Sequence, residues 1–271
     1  TKVVEEPGSL EPSLQPSNEE VDSALAAGVE QPAVVEEEQV FATTIDGDTI
    51  DIGPGNQVNP EDLMKPEVLS SEDTEIDLSN NKTKLEFKTS ESVFFPTGTT
   101  GTLIEAVSKQ VKTPGHLLDL GCGCGVVGIS LDKLGLVSKP LYLSDASPDA
   151  VEMAKENASI HKCIVDGRVG SLFEPWIGMS FDYIIDDVSG VAADIGAISP
   201  WFRNVPCSSG YDGTDLVVQV LNQAPDYLKD KGRLFFPVIS LSNGTKILEE
   251  ANKIFDNVEL LDRRTWPLPR E

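Results

Sequence analysis

Hydrophobic and polar positions along residues 84–271 fall into blocks whose period changes from one to the next. Short apolar runs at 116–120, 141–144, 163–169, 183–187 and 232–239 have the length and composition of strands. Between them lie stretches with helical spacing, at 99–109, at 126–134, from Ser147-Pro148 onward, at 215–228 and at 244–255. In 215–228, Leu216, Val217, Val220, Leu221 and Ala224 share one face. Ser147 suits a helix cap and Pro148 the first helical position. A sixth strand opens at 258–261. Strands alternating with helices predict an α/β fold, a Rossmann-like and mostly parallel sheet with helices on both faces.

Upstream of residue 84 the pattern fades. Residues 1–40, rich in Glu, Pro, Ser and Ala, bury too little apolar surface to offset their ordering entropy. They are expected to form an acidic, disordered extension, either a solvated spacer or a docking arm. Residues 41–83 are expected to be a small accessory segment. Within it, 41–52 reads as a hairpin turning at Asp46-Gly47, and Asn59-Pro60 suits the start of a short helix. The remainder, 84–271, is the expected main domain.

The net charge of −24 is unevenly spread. Residues 1–83 carry 3 basic and 20 acidic side chains; residues 84–271 carry 18 and 25. This balance disfavours a nucleic-acid partner, which would want a basic stripe. Arg263, Arg264 and Arg270 read as a solvated strand edge rather than a phosphate site. No apolar run reaches membrane-spanning length, and no basic start followed by an apolar run marks a leader. Four cysteines fit a reducing compartment, so a cytoplasmic location is expected. Neither the cysteines nor His116 and His161 have metal-ligand spacing, so no metal is expected.

The chemistry concentrates at Leu117-Leu118-Asp119-Leu120-Gly121-Cys122-Gly123-Cys124-Gly125. A strand runs into a glycine turn that lets backbone press against a ligand. The second strand ends in Asp145, a carboxylate suited to ribose hydroxyls. The turn lacks the third glycine of a dinucleotide site, because Val126 stands there, and the chain has no Gly-Lys-Ser/Thr of a phosphate loop. No Arg or Lys lies between Gly121 and Asp132 to meet a diphosphate, and Asp119 would repel one. An adenosine cofactor without phosphate and with a cationic amino-acid end fits: S-adenosylmethionine.

These residues resemble class I S-adenosylmethionine-dependent methyltransferases, in the small-domain branch that includes the release-factor glutamine and ribosomal-RNA guanine enzymes. Three further stretches carry the resemblance to that branch. Phe94-Phe95-Pro96-Thr97-Gly98-Thr99-Thr100 is similar to the segment that closes over the cofactor. Gly170-Ser171-Leu172-Phe173-Glu174 is similar to a Gly-Asp-Leu-Phe-Glu stretch after the third strand. Phe181-Asp182-Tyr183-Ile184-Ile185-Asp186-Asp187 is similar to the fourth strand. The branch then continues Asn-Pro-Pro-Tyr, where this chain has Asp187-Val188-Ser189-Gly190. An amide is thus replaced by an acceptor-only carboxylate, which argues against a glutamine amide or a base amino group as methyl acceptor.

The resemblance implies cofactor roles for Asp119, Gly121, Gly123 and Gly125 at the amino-acid end, Asp145 at ribose, Ala146, Ser171 and Leu172 at adenine, and Thr99 in the closing segment. Asp187 is the expected catalytic residue, orienting or deprotonating the nucleophile, with Asp186 beside it raising its pKa. The loop 188–213 is long enough to carry function, and Trp201 and Arg203 are expected to contact substrate. The expected activity is methyl transfer to a hydroxyl or nitrogen of a small molecule or protein side chain. The alternatives are an idle cofactor-binding scaffold and a nucleic-acid methyltransferase. Folds of this family carry a seventh, antiparallel strand between the fifth and sixth. The five residues after Trp266 are too short and Pro-rich to supply it. Either the sequence stops before that strand, or a strand from 41–95 fills the gap.

Overall fold

The computed structural model describes residues 35–44, 73–78, 83–198, 205, 207 and 209–267. Their strands are β1 (Val35–Thr44), β2 (Asp73–Leu78), β3 (Thr83–Lys88), β4 (Leu117–Leu120), β5 (Leu141–Asp145), β6 (Val165–Val169), β7 (Phe181–Asp186), β8 (Leu228–Ile239) and β9 (Asn257–Pro267). Their helices are α1 (Gly98–Gln110), α2 (Val126–Lys133), α3 (Pro148–Ile160), α4 (Ala193–Ile198), α5 (Asp215–Tyr227) and α6 (Gly244–Ile254). A 3-10 turn covers Glu174–Trp176. Seven strands form one sheet in the order β6-β5-β4-β7-β8-β1-β9, and β2 pairs with β3 in a separate hairpin.

The central strands are buried on both faces, which explains their near-continuous apolar runs. Alternate side chains feed two cores. Leu117, Leu141, Leu143, Ile185 and Phe235 join one with α1, α2 and α3. Leu118, Leu120, Tyr142, Ile184, Leu234 and Phe236 join the other with α5 and α6. Fully burying side chains such as Phe235 and Phe236 stabilises by roughly 1.5–3 kcal/mol each. Helix starts are set locally. The Ser147 hydroxyl accepts from Ala150 N at 3.4 Å, and Asn243 Oδ1 accepts from Lys246 N at 3.2 Å.

Strands β4 to β8 pair in parallel, as the alternating pattern predicts. The gap between the fifth and sixth strands of the fold is filled by β1, antiparallel to both β8 and β9. The filling strand thus comes from the N-terminal side, and the division expected between residues 40 and 41 falls inside it. Acidic composition hid residues 35–40. Their register sets Glu38 opposite Arg264 and Gln39 opposite Arg263, while Val40 is wholly buried. Strand β9 is the sheet edge, as expected. Arg264 there is half-buried and pairs with Glu105 of α1 and with Asp262. The expected Asp46-Gly47 turn, the Asn59 helix start and residues 1–34 lie outside the described residues.

Because the Val40 side chain is wholly buried in the apolar core on one face of the sheet, Val40→Asp will bury an unpaired charge there. The expected loss is about 3 kcal/mol or more of unfolding free energy, read by urea denaturation. An unchanged midpoint would remove β1 from that position.

Candidate cofactor and acceptor site

Winding of the sheet reverses at β4, whose neighbours are β5 and β7. Such a switch point opens a crevice beyond the strands' carboxyl ends. The turn from β4 into α2 forms its floor. Gly121, Gly123 and Gly125 have φ of 77°, 51° and 84°, a left-handed backbone that side chains disfavour. Gly121 N and Cys122 N both donate to Ser144 O, at 2.9 and 3.0 Å. A Cβ at Gly121 would lie 2.9 Å from Val188 Cγ1, so the chain leaving β7 rests directly on the turn. A Cβ at Gly125 would meet Ala154 of α3 at 3.1 Å. At Gly123 the space is open, with only Phe94 O at 4.0 Å. The segment before α1 therefore comes over the middle glycine.

Asp145 closes β5 half-buried. Its Oδ2 accepts from Gly123 N at 3.0 Å and its Oδ1 from Ser147 N at 2.8 Å. Each oxygen keeps a further lone pair. Ala146 and Ser171 are exposed, while Leu172 and Thr99 are half-buried. Leu172 has a positive φ of 46° and packs against the second core.

Asp119 sits one layer below the crevice. It is fully buried, and its Oδ2 accepts from Gly128 N at 2.8 Å, fixing the first turn of α2. Its alternation with Leu118 and Leu120 sends it to the face of the sheet that carries α2. Its other oxygen has no partner among the described residues. Burial, reinforced by the Asp145 charge, pushes its pKa up to about 7 against the Gly128 hydrogen bond. Asp186 is alike: 1% exposed, accepting from Val188 N at 3.1 Å, and raised to about 7 by burial. Asp187 is half-buried, and its N donates to Leu120 O at 3.0 Å. Cys122 and Cys124 are buried packing residues whose thiols are pushed up by burial, Cys124 to about 12.

Asn157 of α3 was not read as a site residue. It is fully buried; its Nδ2 donates to Cys124 O at 2.9 Å and Lys88 O at 3.0 Å, and its Oδ1 accepts from Lys88 N at 2.9 Å. A polar residue on the apolar Ala150, Val151, Ala154, Ala158 face was the available signal.

Beyond β7 three loops knit together. Ser189 Oγ donates to Cys207 O at 2.6 Å, Ala193 N to Gly210 O at 2.9 Å and Ala192 N to Leu241 O at 3.1 Å. Asn243 N donates to Asp212 O at 2.8 Å, and Lys246 pairs with Asp212 at 3.1 Å. The expected loop 188–213 thus contains α4 and forms a wall beside Asp187. Trp201 and Arg203 lie outside the described residues.

Residues 84–187 match the family described as methyltransferase small domain. This stretch is a class I methyltransferase small domain. The chain is similar to the release factor glutamine methyltransferase of Aquifex aeolicus (strain VF5), 35% identical over 123 residues that make 42% of each protein. It is 26% identical over 161 residues to the ribosomal protein L11 methyltransferase of Acetivibrio thermocellus, covering 59% of this chain and 43% of that protein. It resembles the solved T. Thermophilus 16S rRNA N2 G1207 methyltransferase in complex with AdoMet and guanosine in fold, with TM-score 0.50, 15% identity and coverage of 74% and 51%. The chain spans about half the length of the curated relatives it matches. Among the described residues no helix is long and apolar enough to cross a membrane.

These matches correct the expected partners. All three are named for macromolecules of translation, one of them an RNA, so setting nucleic acid aside in favour of a small-molecule or protein substrate was mistaken. Most of the acidic excess lies in residues 1–83, outside the matched domain.

Asp119 and Asp186 set a pH dependence. Their folded pKa values, about 7, lie above the ordinary 3.8, so the folded protein holds protons that the unfolded chain releases. Their stabilising contribution is full below 3.8 and is lost as pH rises through about 7. In urea titrations across that window, Asp119→Asn and Asp186→Asn should each flatten the decline relative to wild type. Parallel profiles would show that these carboxyls ionise normally.

Proposed function

We propose that this domain transfers the methyl group of S-adenosylmethionine to a nitrogen or hydroxyl of a protein side chain. The observation that carries the reading is the junction of Gly123, Asp145 and Asp187. An open glycine, a carboxylate at the end of β5 and the Asp187 backbone bonded to the end of β4 lie at one switch point. The residues present fit the cofactor: Gly123 has room where a Cβ would intrude, Asp145 retains lone pairs for two hydroxyls, and the acids suit a cation. Ala146, Ser171 and Leu172 would border adenine, and Thr99 would close over it from α1. Gly121 and Gly125 would shape the turn, and Asp119 would hold it from beneath.

When bound, S-adenosylmethionine supplies a methyl group on a sulfonium, and its transfer leaves a neutral thioether. The chain's own work is alignment and proton handling. Asp187 accepts an N–H or O–H of the acceptor, pointing the nucleophile's lone pair at the methyl carbon and taking the proton as the new bond forms. Asp186, buried behind it and bonded to Val188 N, holds the strand exit in place. The protein acceptor is supported by the relatives named for a release factor and a ribosomal protein.

Calorimetry with S-adenosylmethionine, followed by radiolabelled methyl transfer into separated protein and RNA fractions, tests the reading. Label in protein is expected. Label confined to RNA would overturn the acceptor, and binding without transfer would leave a scaffold. Asp187→Ala should lower turnover by about 10²–10⁴-fold with little change in cofactor affinity. Asp145→Ala should do the reverse, raising the cofactor Kd by about tenfold or more. Equal losses in both quantities for Asp187→Ala would remove its assigned role.

A further inference from the structure

We propose that Asn157 is a positioning residue that fixes the 94–97 segment over the glycine turn and thereby sets the width of the cofactor crevice. This rests on the cofactor reading above. Asn157 is fully buried and spends its whole amide on two distant pieces of backbone. One N–H holds Cys124 O, inside the turn; the other N–H and the amide oxygen hold Lys88 O and N, at the end of β3. The three bonds admit one amide orientation, because a flipped amide would set N–H against the Lys88 N–H.

Lys88 leads in a few residues to Phe94, whose carbonyl faces Gly123. The amide therefore clamps both ends of a short arch. One end is the floor of the crevice and the other is the base of the segment that covers it. The other polar contacts between the two segments are exposed. The Lys88 side chain pairs with Glu156, and His161 Nε2 meets Glu86 O at 2.8 Å. Exposed pairs contribute little, whereas a buried carbonyl stripped of its donor costs about 1–3 kcal/mol. Asn157 is thus the buried polar contact that sets the register of this junction, beside the apolar packing of Leu85 and Phe87.

The test compares wild type with Asn157→Ala, Asn157→Ser and Glu156→Ala. The readouts are cofactor Kd by calorimetry, KM and kcat for methyl transfer, melting temperature, and hydrogen exchange of residues 93–97. Both Asn157 variants should raise Kd and KM for S-adenosylmethionine by about tenfold or more and speed exchange at 93–97. Their kcat at saturating cofactor should stay near wild type, because Asp187 is untouched. Glu156→Ala should leave Kd unchanged. Lower melting temperature with unaltered Kd in both Asn157 variants would reduce the residue to a structural one and overturn the proposal. An equal rise in Kd with Glu156→Ala would overturn it too, since docking of the hairpin in general would then be responsible. Failure of the wild type to bind would overturn the cofactor reading and this proposal together, whereas binding by all four proteins alike would overturn this proposal alone.

Discussion

The capture of the glycine turn by the end of the neighbouring strand is the constraint on which the rest of this domain depends. Three backbone donors of the turn, on Gly121, Cys122 and Gly123, are taken by Ser144 O and Asp145 Oδ2. This is possible only because the glycines adopt left-handed φ without a Cβ penalty. Once the turn is so held, Gly125 brings α3 into contact and Gly121 accepts the chain leaving β7. The first turn of α2 is pinned from below by Asp119. Four elements thus take their relative positions from one bend, and the functional groups at their ends inherit that precision.

The same bend gathers an unusual amount of negative charge. Asp119, Asp145, Asp186 and Asp187 lie at or just past the carboxyl ends of three adjacent strands. Two of them are so deeply buried that their pKa values reach about 7. The carboxylate at Asp145 stands at the half-exposed rim, where two backbone N–H groups hold its oxygens. Environment therefore divides similar side chains into buried acids that brace the backbone and half-buried acids at the strand ends. A crevice lined in this way suits a cationic ligand better than a diphosphate.

Legibility in the sequence followed locality. The central strands were readable because burial on both faces makes them uninterrupted apolar runs. The starts of α3 and α6 were readable because their caps are set by adjacent residues. Strand β1 was not, since its acidic stretch becomes a strand only by pairing with partners about two hundred residues away, a distance read directly from its register. Asp119 was singled out for its proximity to the glycines, and strand alternation turns it to the face that packs against α2, where it accepts from Gly128 N. Asn157 was passed over because a single polar residue on an apolar helix face carries no hint of which distant backbone it will meet.

The boundary of the family match has a physical meaning. It ends at Asp187, where the chain leaves the cofactor crevice and enters the wall made by α4, the 209–215 turn and the 241–243 loop. The glycine turn and Asp145 are held by the sheet itself. Choice of acceptor needs side chains beyond the methyl group, and these come from loops that can vary without disturbing the sheet. Asp187 is the hinge between the two. Its backbone N–H is bonded to Leu120 O and ties it to the sheet, while its side chain, acceptor-only where an amide can both give and take, stands where the sheet gives way to the loops. Shared names among relatives therefore speak for the crevice, and the identity of the acceptor is written in the loops that follow it.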